Sequence, residues 1–213
     1  MKALFLNCTL KVSPAPSNTE LLIKKVANIM TELDVETEIV RIADYNVKFG
    51  ISSNEGEGDE WPEILKKIKA SNIMVIGSPI WFGVRSSICQ MVLERLDGTY
   101  MEPNERNGQY PLYNKVAGVI VTGNEDGAHN VAANTLFNLT HLGCTVPPNA
   151  DSYWVGEAGP GPSYSEVGQD HLYTNRTARY MAHNLVYMAK ILQTNPMPTN
   201  LNQLDEEAKK ISK

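Results

Sequence analysis

The sequence predicts an α/β domain: a doubly wound parallel sheet of five strands in the order 2-1-3-4-5, with helices on both faces. Three observations carry this. Apolar stretches such as 73–76 and 116–121 run unbroken instead of alternating, as strands buried on both faces do. Segments with apolar residues at helical spacing lie between them. Strand then follows helix in regular alternation, which right-handed crossovers turn into a parallel sheet covered on both sides.

Residues 2–8, rich in Leu and Phe, make strand one and end in a polar turn over 9–19. Leu22, Val26, Ile29, Met30 and Leu33 then recur at helical spacing, with Ser17 or Asn18 able to cap the first turn of helix one. β-branched residues make 35–42 strand two, ending near Arg41. A polar loop over 44–58 leads to Asp59, a plausible cap for helix two over 60–70. Residues 72–77 form strand three, bounded by Gly77-Ser78-Pro79, and 86–96 a helix with Ile88, Met91, Val92 and Leu96 on one face. Strand four is expected at 116–121, helix four at 127–142, and strand five at Cys144-Thr145-Val146 before Pro147-Pro148. A last long helix spans 168–192. Residues 1–193 make one domain without internal repeats, and 194–213 a tail with a short charged helix over 204–211. The stretch 147–165, rich in Gly, Pro and aromatics, reads as a functional surface loop.

Composition narrows the function classes. Among 213 residues, 42% are hydrophobic, enough for a sizeable core. Lys plus Arg number 19 against 24 Asp plus Glu, a balance of −5, and such a surface repels phosphate backbones and anionic lipid. Nucleic-acid binding and membrane insertion are not expected. No apolar run approaches the roughly 20 residues of a bilayer span. The apolar stretch after Lys2 is too short for a signal peptide, so export is not expected. Cys8, Cys89 and Cys144 lack the paired spacing of a disulfide framework or zinc site, which fits a reducing cytoplasm.

In an open parallel sheet, ligands bind beyond the carboxyl ends of the strands where strand order reverses, here between strands one and three. The first loop there carries Thr9, Lys11, Ser17, Asn18 and Thr19 just before the free N–H groups of helix one. Hydroxyls, amides and the positive end of the helix dipole suit a phosphate monoester; an ordinary capped helix is the plainer reading. The glycines of a GxxxxGK[ST] loop are absent, which excludes a nucleoside triphosphate loop of that form. Pro79, Ile80, Trp81, Phe82 and Gly83 give an apolar wall for a flat heterocycle, or else a cover over the end of the core. Thr122, Gly123, Asn124, Glu125, Asp126 and Gly127 supply closely spaced backbone N–H groups for ring carbonyls and nitrogens, or else a simple glycine-rich turn. Glu125 and Asp126 must then point outward. Phosphate pocket, apolar wall and amide rim together describe a flavin mononucleotide (FMN) site.

At these residues the sequence resembles the flavodoxin-like NAD(P)H-dependent FMN reductase and quinone reductase superfamily, including multimeric flavodoxins of the tryptophan-repressor-binding-protein type, over roughly residues 1–193. The resemblance implies a flavodoxin-like fold. It implies that Thr9-Leu10-Lys11 and Ser17-Asn18-Thr19 hold the FMN phosphate, that 78–83 lines the isoalloxazine, and that 122–129 contacts the ring's polar edge. It also implies a homodimer or homotetramer. Two departures stand out. Related iron–sulfur flavoproteins carry a cysteine cluster between strand two and helix two, where this chain has no thiol. The first turn lacks the glycine and arginine common among relatives.

Other chemistries fit less well. A Cys-x5-Arg phosphatase loop fails at Cys8, because Pro14 stands six positions on, and Cys89 with Arg95 lies inside one predicted helix. His129, His141, His171 and His183 form no metal-ligand pair, and no GxSxG elbow is present. His129 is the one histidine near the proposed ring and a possible donor to a bound quinone or nicotinamide. Tyr153, Trp154 and Tyr164 could cover the flavin or a neighbouring subunit. The expected activity is hydride transfer from transiently bound NAD(P)H through FMN to a quinone, free flavin or similar small acceptor, with the cofactor carrying the chemistry. A non-enzymatic flavodoxin-type electron carrier and a flavin-free interaction protein are the alternatives.

Overall fold

A computed structural model describes residues 1–212. Strands β1 (Lys2–Asn7), β2 (Glu36–Arg41), β3 (Ile73–Trp81), β5 (Val116–Gly123) and β6 (Asp151–Val155) pair in parallel in the order β2-β1-β3-β5-β6. The short β4 (Val84–Arg85) folds back antiparallel on the end of β3. This is the flavodoxin-like arrangement, with the order expected for the five parallel strands. Helices α1 (Asn18–Glu32), α2 (Trp61–Ala70), α3 (Ser87–Asp97), α4 (Ala128–His141) and α5 (Leu172–Thr194) cover the sheet, and α6 (Leu201–Ile211) follows.

The strands' alternation sorts their buried side chains onto two faces. Leu4, Leu6, Met74, Ile76, Val119 and Val121 meet α2, α3 and α4. Ala3, Phe5, Ile73, Val75 and Ile120 meet α1 and α5, whose small residues Ala178, Ala182 and Ala189 admit close packing. Both faces are dry, which explains why these strands read as unbroken apolar runs.

Strand five is displaced from its expected place. Cys144-Thr145-Val146 contributes only an isolated bridge from Thr145 to Val116, and the ladder beside β5 is made by residues 151–155. Pro147 has no N–H to give a ladder, so pairing resumes only beyond the two prolines. The supposed surface loop 147–165 therefore contains a sheet strand, and its Ser152 and Trp154 are buried. The cap of α2 also differs: Glu60 holds the N-cap position, while Asp59 bonds the Trp61 amide at 3.2 Å and turns its carboxyl to Arg95.

Lys115, just before β5, is buried, and its ammonium donates to the carbonyl oxygens of Lys69, at 2.7 Å, and Ser71. It thus satisfies orphan carbonyls at the end of α2, where a cation also complements the helix dipole. Lys115→Ala leaves those buried acceptors without a donor, and urea titration is expected to register a loss of about 1–3 kcal/mol.

Beyond α5 the chain is tied to the segment before β5: Gln109 Nε2 donates to the carbonyls of Met197 and Thr199, and Asn114 Oδ1 accepts from the Met197 amide. Helix α6 begins three residues earlier than the sequence suggests and buries none of its residues. No helix among the described residues is long and apolar enough to cross a membrane.

Candidate functional site

In the sheet register Asn7 stands opposite both Arg41 and Gly77, and Thr122 opposite both Pro79 and Trp154. The carboxyl ends of five strands therefore open on one edge, the crevice where sheets of this kind hold ligands. A cleft of about 300 Å³ lies there. One end is built by Thr9, Leu10, Lys11, Ser17, Asn18 and Thr19, the other by Pro79, Ile80 and Trp81. Thr122, Gly123, Asn124 and Trp154 complete the lining.

Local chemistry shapes the first end. Ser17 is the N-cap of α1, its Oγ accepting from the Glu20 amide at 3.1 Å and from Asn7 Nδ2 at 3.5 Å. With both lone pairs engaged, its proton is left for a ligand oxygen. Asn18 accepts from the Ser165 amide at 3.0 Å through Oδ1, which leaves its NH2 group as a donor. Thr19 and Thr122 share a buried 2.8 Å hydroxyl bond that joins the first loop to β5. Gly77 makes this approach possible, since a Cβ there would come within 2.5 Å of Ile23 and 3.0 Å of Thr19 on α1.

A carboxylate in the first turn of α1 would repel an anion, and Glu20 is one. Arg41, at the end of β2, neutralises it, donating through Nε at 3.1 Å and also through Nη2, while Lys24 lies 2.6 Å from its other oxygen. Partial burial pushes the Glu20 carboxyl up, yet Lys24 and Arg41 outweigh this and hold it below its ordinary value. Arg41 also donates to the Ala15 carbonyl at 2.8 Å and so braces the loop itself. The Lys11 ammonium is folded onto the Pro16 carbonyl at 3.2 Å.

The second end is aromatic. Trp81 is half-exposed on one wall, and Trp154 is buried and packed on Tyr164, with ring centres 5.5 Å apart. Asn124 ties the loop after β5 to the proline-rich segment by donating to the carbonyls of Gly161, at 3.1 Å, and Pro162, at 2.9 Å.

The residues named from sequence thus divide. Thr9, Lys11, Ser17, Asn18, Thr19, Pro79, Ile80, Trp81, Thr122, Gly123 and Asn124 meet in the cleft, whereas Phe82, Gly83, Glu125, Asp126 and Gly127 stand outside its lining, where the β3–β4 turn meets the start of α4. Glu125 points at the Phe82 amide. His129 is exposed, with Nε2 3.0 Å from the Tyr153 hydroxyl, and is not part of the lining. Asn7, Glu20 and Arg41 escaped the sequence reading. One signal could have found Arg41: it ends the strand beside strand one, and the carboxyl edge of such a sheet is where ligands sit.

Residues 1–158 match the family described as NADPH-dependent FMN reductase. This chain belongs to that family. Over 222 residues it is 40% identical to 8-demethyl-8-aminoriboflavin-5'-phosphate synthase of Streptomyces davaonensis, covering 100% of this chain and 86% of the relative. The crystal structure of RosB with bound intermediate OHC-RP (8-demethyl-8-formylriboflavin-5'-phosphate) superposes with a TM-score of 0.93 at 40% identity, covering 100% of this chain and 88% of that one. An iron–sulfur flavoprotein of Methanocaldococcus jannaschii is 29% identical over 192 residues, 85% of this chain and 95% of the relative.

The family makes this chain an FMN-dependent oxidoreductase, and the cleft suits the cofactor. Its first end offers hydroxyl donors, free α1 amides and a neutralised Glu20 to a phosphate monoester. The second end offers an apolar wall to a flat ring system. Ser17, Asn18, Thr19 and Thr9 line this cleft together with Pro79, Ile80, Trp81 and Trp154.

Proposed function

We propose that this chain takes a hydride from NAD(P)H by way of FMN and delivers electrons to a small planar acceptor, a quinone or free flavin. The reading is supported by one observation: the hydroxyl-lined N-terminus of α1 and an aromatic wall share a single cleft of about 300 Å³. Bound FMN supplies two-electron transfer chemistry. The protein places the cofactor, excludes water along the Trp154 side, and leaves the Trp81 side open, where NAD(P)H and acceptor take turns. Backbone amides at Gly123 and Asn124 stand where negative charge on a ring edge is stabilised. Asn7 and Arg41 keep the phosphate loop in shape.

The test uses purified protein given FMN and stripped of excess. Under anaerobic conditions the retained yellow colour should bleach with NADPH or NADH and return on adding a quinone, with steady NAD(P)H consumption. A colourless protein that ignores FMN would refute the reading, and bleaching without turnover would favour a carrier. Arg41→Gln is expected to weaken FMN retention by uncovering the Glu20 charge, and Glu20→Gln in the same chain should recover part of it; fluorescence titration measures both.

A second reading is favoured by the 40% identity, over the whole chain, with a synthase of a modified riboflavin phosphate. Here the flavin phosphate itself is substrate. Mass spectrometry of the flavin recovered after turnover separates the two, since an unchanged mass supports a cofactor and a changed one a substrate. We further propose a homodimer or homotetramer working in the cytoplasm, in keeping with three free, buried cysteines; light scattering measures the assembly.

A further inference from the structure

The turn between β3 and β4 has only two central residues, Phe82 and Gly83, between the paired Trp81 and Val84. Both have positive φ, +51° and +76°, as tight hairpins of the primed type require. Glycine adopts this freely, but a bulky residue such as Phe does so at a cost, and Asn or Gly is the usual occupant of the first position. The Phe82 side chain gains nothing in return within the chain, because the residue is 92% exposed. Phe82 thus combines a costly backbone conformation with an exposed ring, next to the cleft-lining Trp81.

The turn is also held from outside. Gly127, at φ +121°, lies so close to Gly83 that a Cβ would fall 2.6 Å from its Cα and carbonyl oxygen. Asn130 Nδ2 donates to the Gly83 carbonyl at 2.9 Å. Both contacts grip Gly83. Phe82 is gripped through its amide, which donates to Glu125 Oε1 at 2.9 Å. The Glu125 carboxyl thus spans from the loop after β5 to the turn after β3, two segments that flank the cleft.

We propose that Glu125 is a positioning residue: by accepting the Phe82 amide hydrogen bond it holds the Phe82–Gly83 turn as a rigid aromatic wall for the planar electron acceptor. The proposal rests on the oxidoreductase reading above and adds the acceptor's seat to it. Glu125 never touches the acceptor, and its role needs only a carbonyl-type oxygen, which glutamine also has.

The experiment compares the FMN-loaded wild type with Glu125→Ala, Glu125→Gln and Phe82→Ala, using 1,4-benzoquinone and the non-planar acceptor ferricyanide. For Glu125→Ala the KM for benzoquinone should rise about tenfold, the loss of one such hydrogen bond, with a smaller change in kcat and in the KM for ferricyanide. Phe82→Ala should raise the same KM, and Glu125→Gln should behave as the wild type. In the flavin-free chain, hydrogen exchange at the Phe82 amide should accelerate in Glu125→Ala and stay slow in Glu125→Gln. An unmoved benzoquinone KM, equal shifts for both acceptors, failure of the glutamine rescue, or a lower assembly mass for Phe82→Ala would each overturn the proposal. A wild type that retains no FMN overturns the oxidoreductase reading of the cleft and the acceptor's seat with it; retained FMN with unmoved KM values overturns the aromatic wall alone.

Discussion

Asp59→Ala is expected to cost about 3–5 kcal/mol of unfolding free energy, the range for breaking a buried ion pair and stranding one charge. Both side chains of the Asp59–Arg95 pair are fully buried. The guanidinium meets the carboxylate at two points, Nη1 to Oδ1 at 3.1 Å and Nη2 to Oδ2 at 2.7 Å. It also donates to the carbonyls of Lys48, at 2.7 Å, and Ser52, at 3.0 Å. Asp59 in turn accepts from the amides of Lys48, Glu55 and Trp61. One pair thereby organises the whole segment between β2 and α2, the place where iron–sulfur relatives of this fold were expected to differ. Removing the carboxylate leaves a buried cation without its counter-charge and three amides without acceptors. Urea denaturation measures the loss, and a change below about 1 kcal/mol would show that solvent reaches Arg95.

The same pair predicts a pH dependence. Burial pushes the Asp59 carboxyl up, but Arg95 and the three amides overcome this and hold it far below its ordinary 3.8. A carboxyl whose folded value is depressed contributes its stability fully above the unfolded value and loses it as pH falls through the folded one. Wild-type stability should therefore drop steeply below about pH 4, and Asp59→Ala should flatten that part of the profile. Parallel slopes for the two proteins would contradict the assignment.

Ser17→Ala combined with Asn18→Ala should raise the FMN dissociation constant by about a hundredfold or more, since hydrogen bonds to a charged group contribute about 1.5–3 kcal/mol each. Part of the effect is indirect, because Ser17 also caps α1 and its loss costs the helix about 1 kcal/mol. A thermal melt monitored by circular dichroism keeps the two apart: the double variant should remain folded with a slightly lower Tm. A dissociation constant within about threefold of wild type, less than one such bond is worth, would remove the phosphate from this loop. Trp81→Ala is expected to alter flavin fluorescence and turnover while leaving the phosphate end intact.

Much of the cleft was legible because its parts are local. A polar turn before an amphipathic helix, and an aromatic run at a strand end, declare themselves by residue type and order. Arg41 and Glu20 were illegible for the opposite reason: they lie 21 positions apart, and only the β1–β2 register brings the guanidinium over the first turn of α1. Strand five was misplaced because Cys144-Thr145-Val146 and Asp151–Val155 both carry β-type residues. Neither composition nor period says which one finds a partner on β5.

What the sequence determined by itself was the winding: unbroken apolar strands have no stable place except a parallel sheet covered on both faces, and the helical repeats between them supply the cover. What the tertiary structure alone decided was the use of charge and strain. Whether Glu20 repels or tolerates a phosphate depends on Arg41 standing next to it, and the amide of the left-handed Phe82 finds its acceptor only in Glu125, 43 positions on. Burial of apolar surface is additive and readable residue by residue. Coulomb interactions and hydrogen bonds act over a few ångströms between residues distant in sequence, so their sign is settled only when the chain has folded.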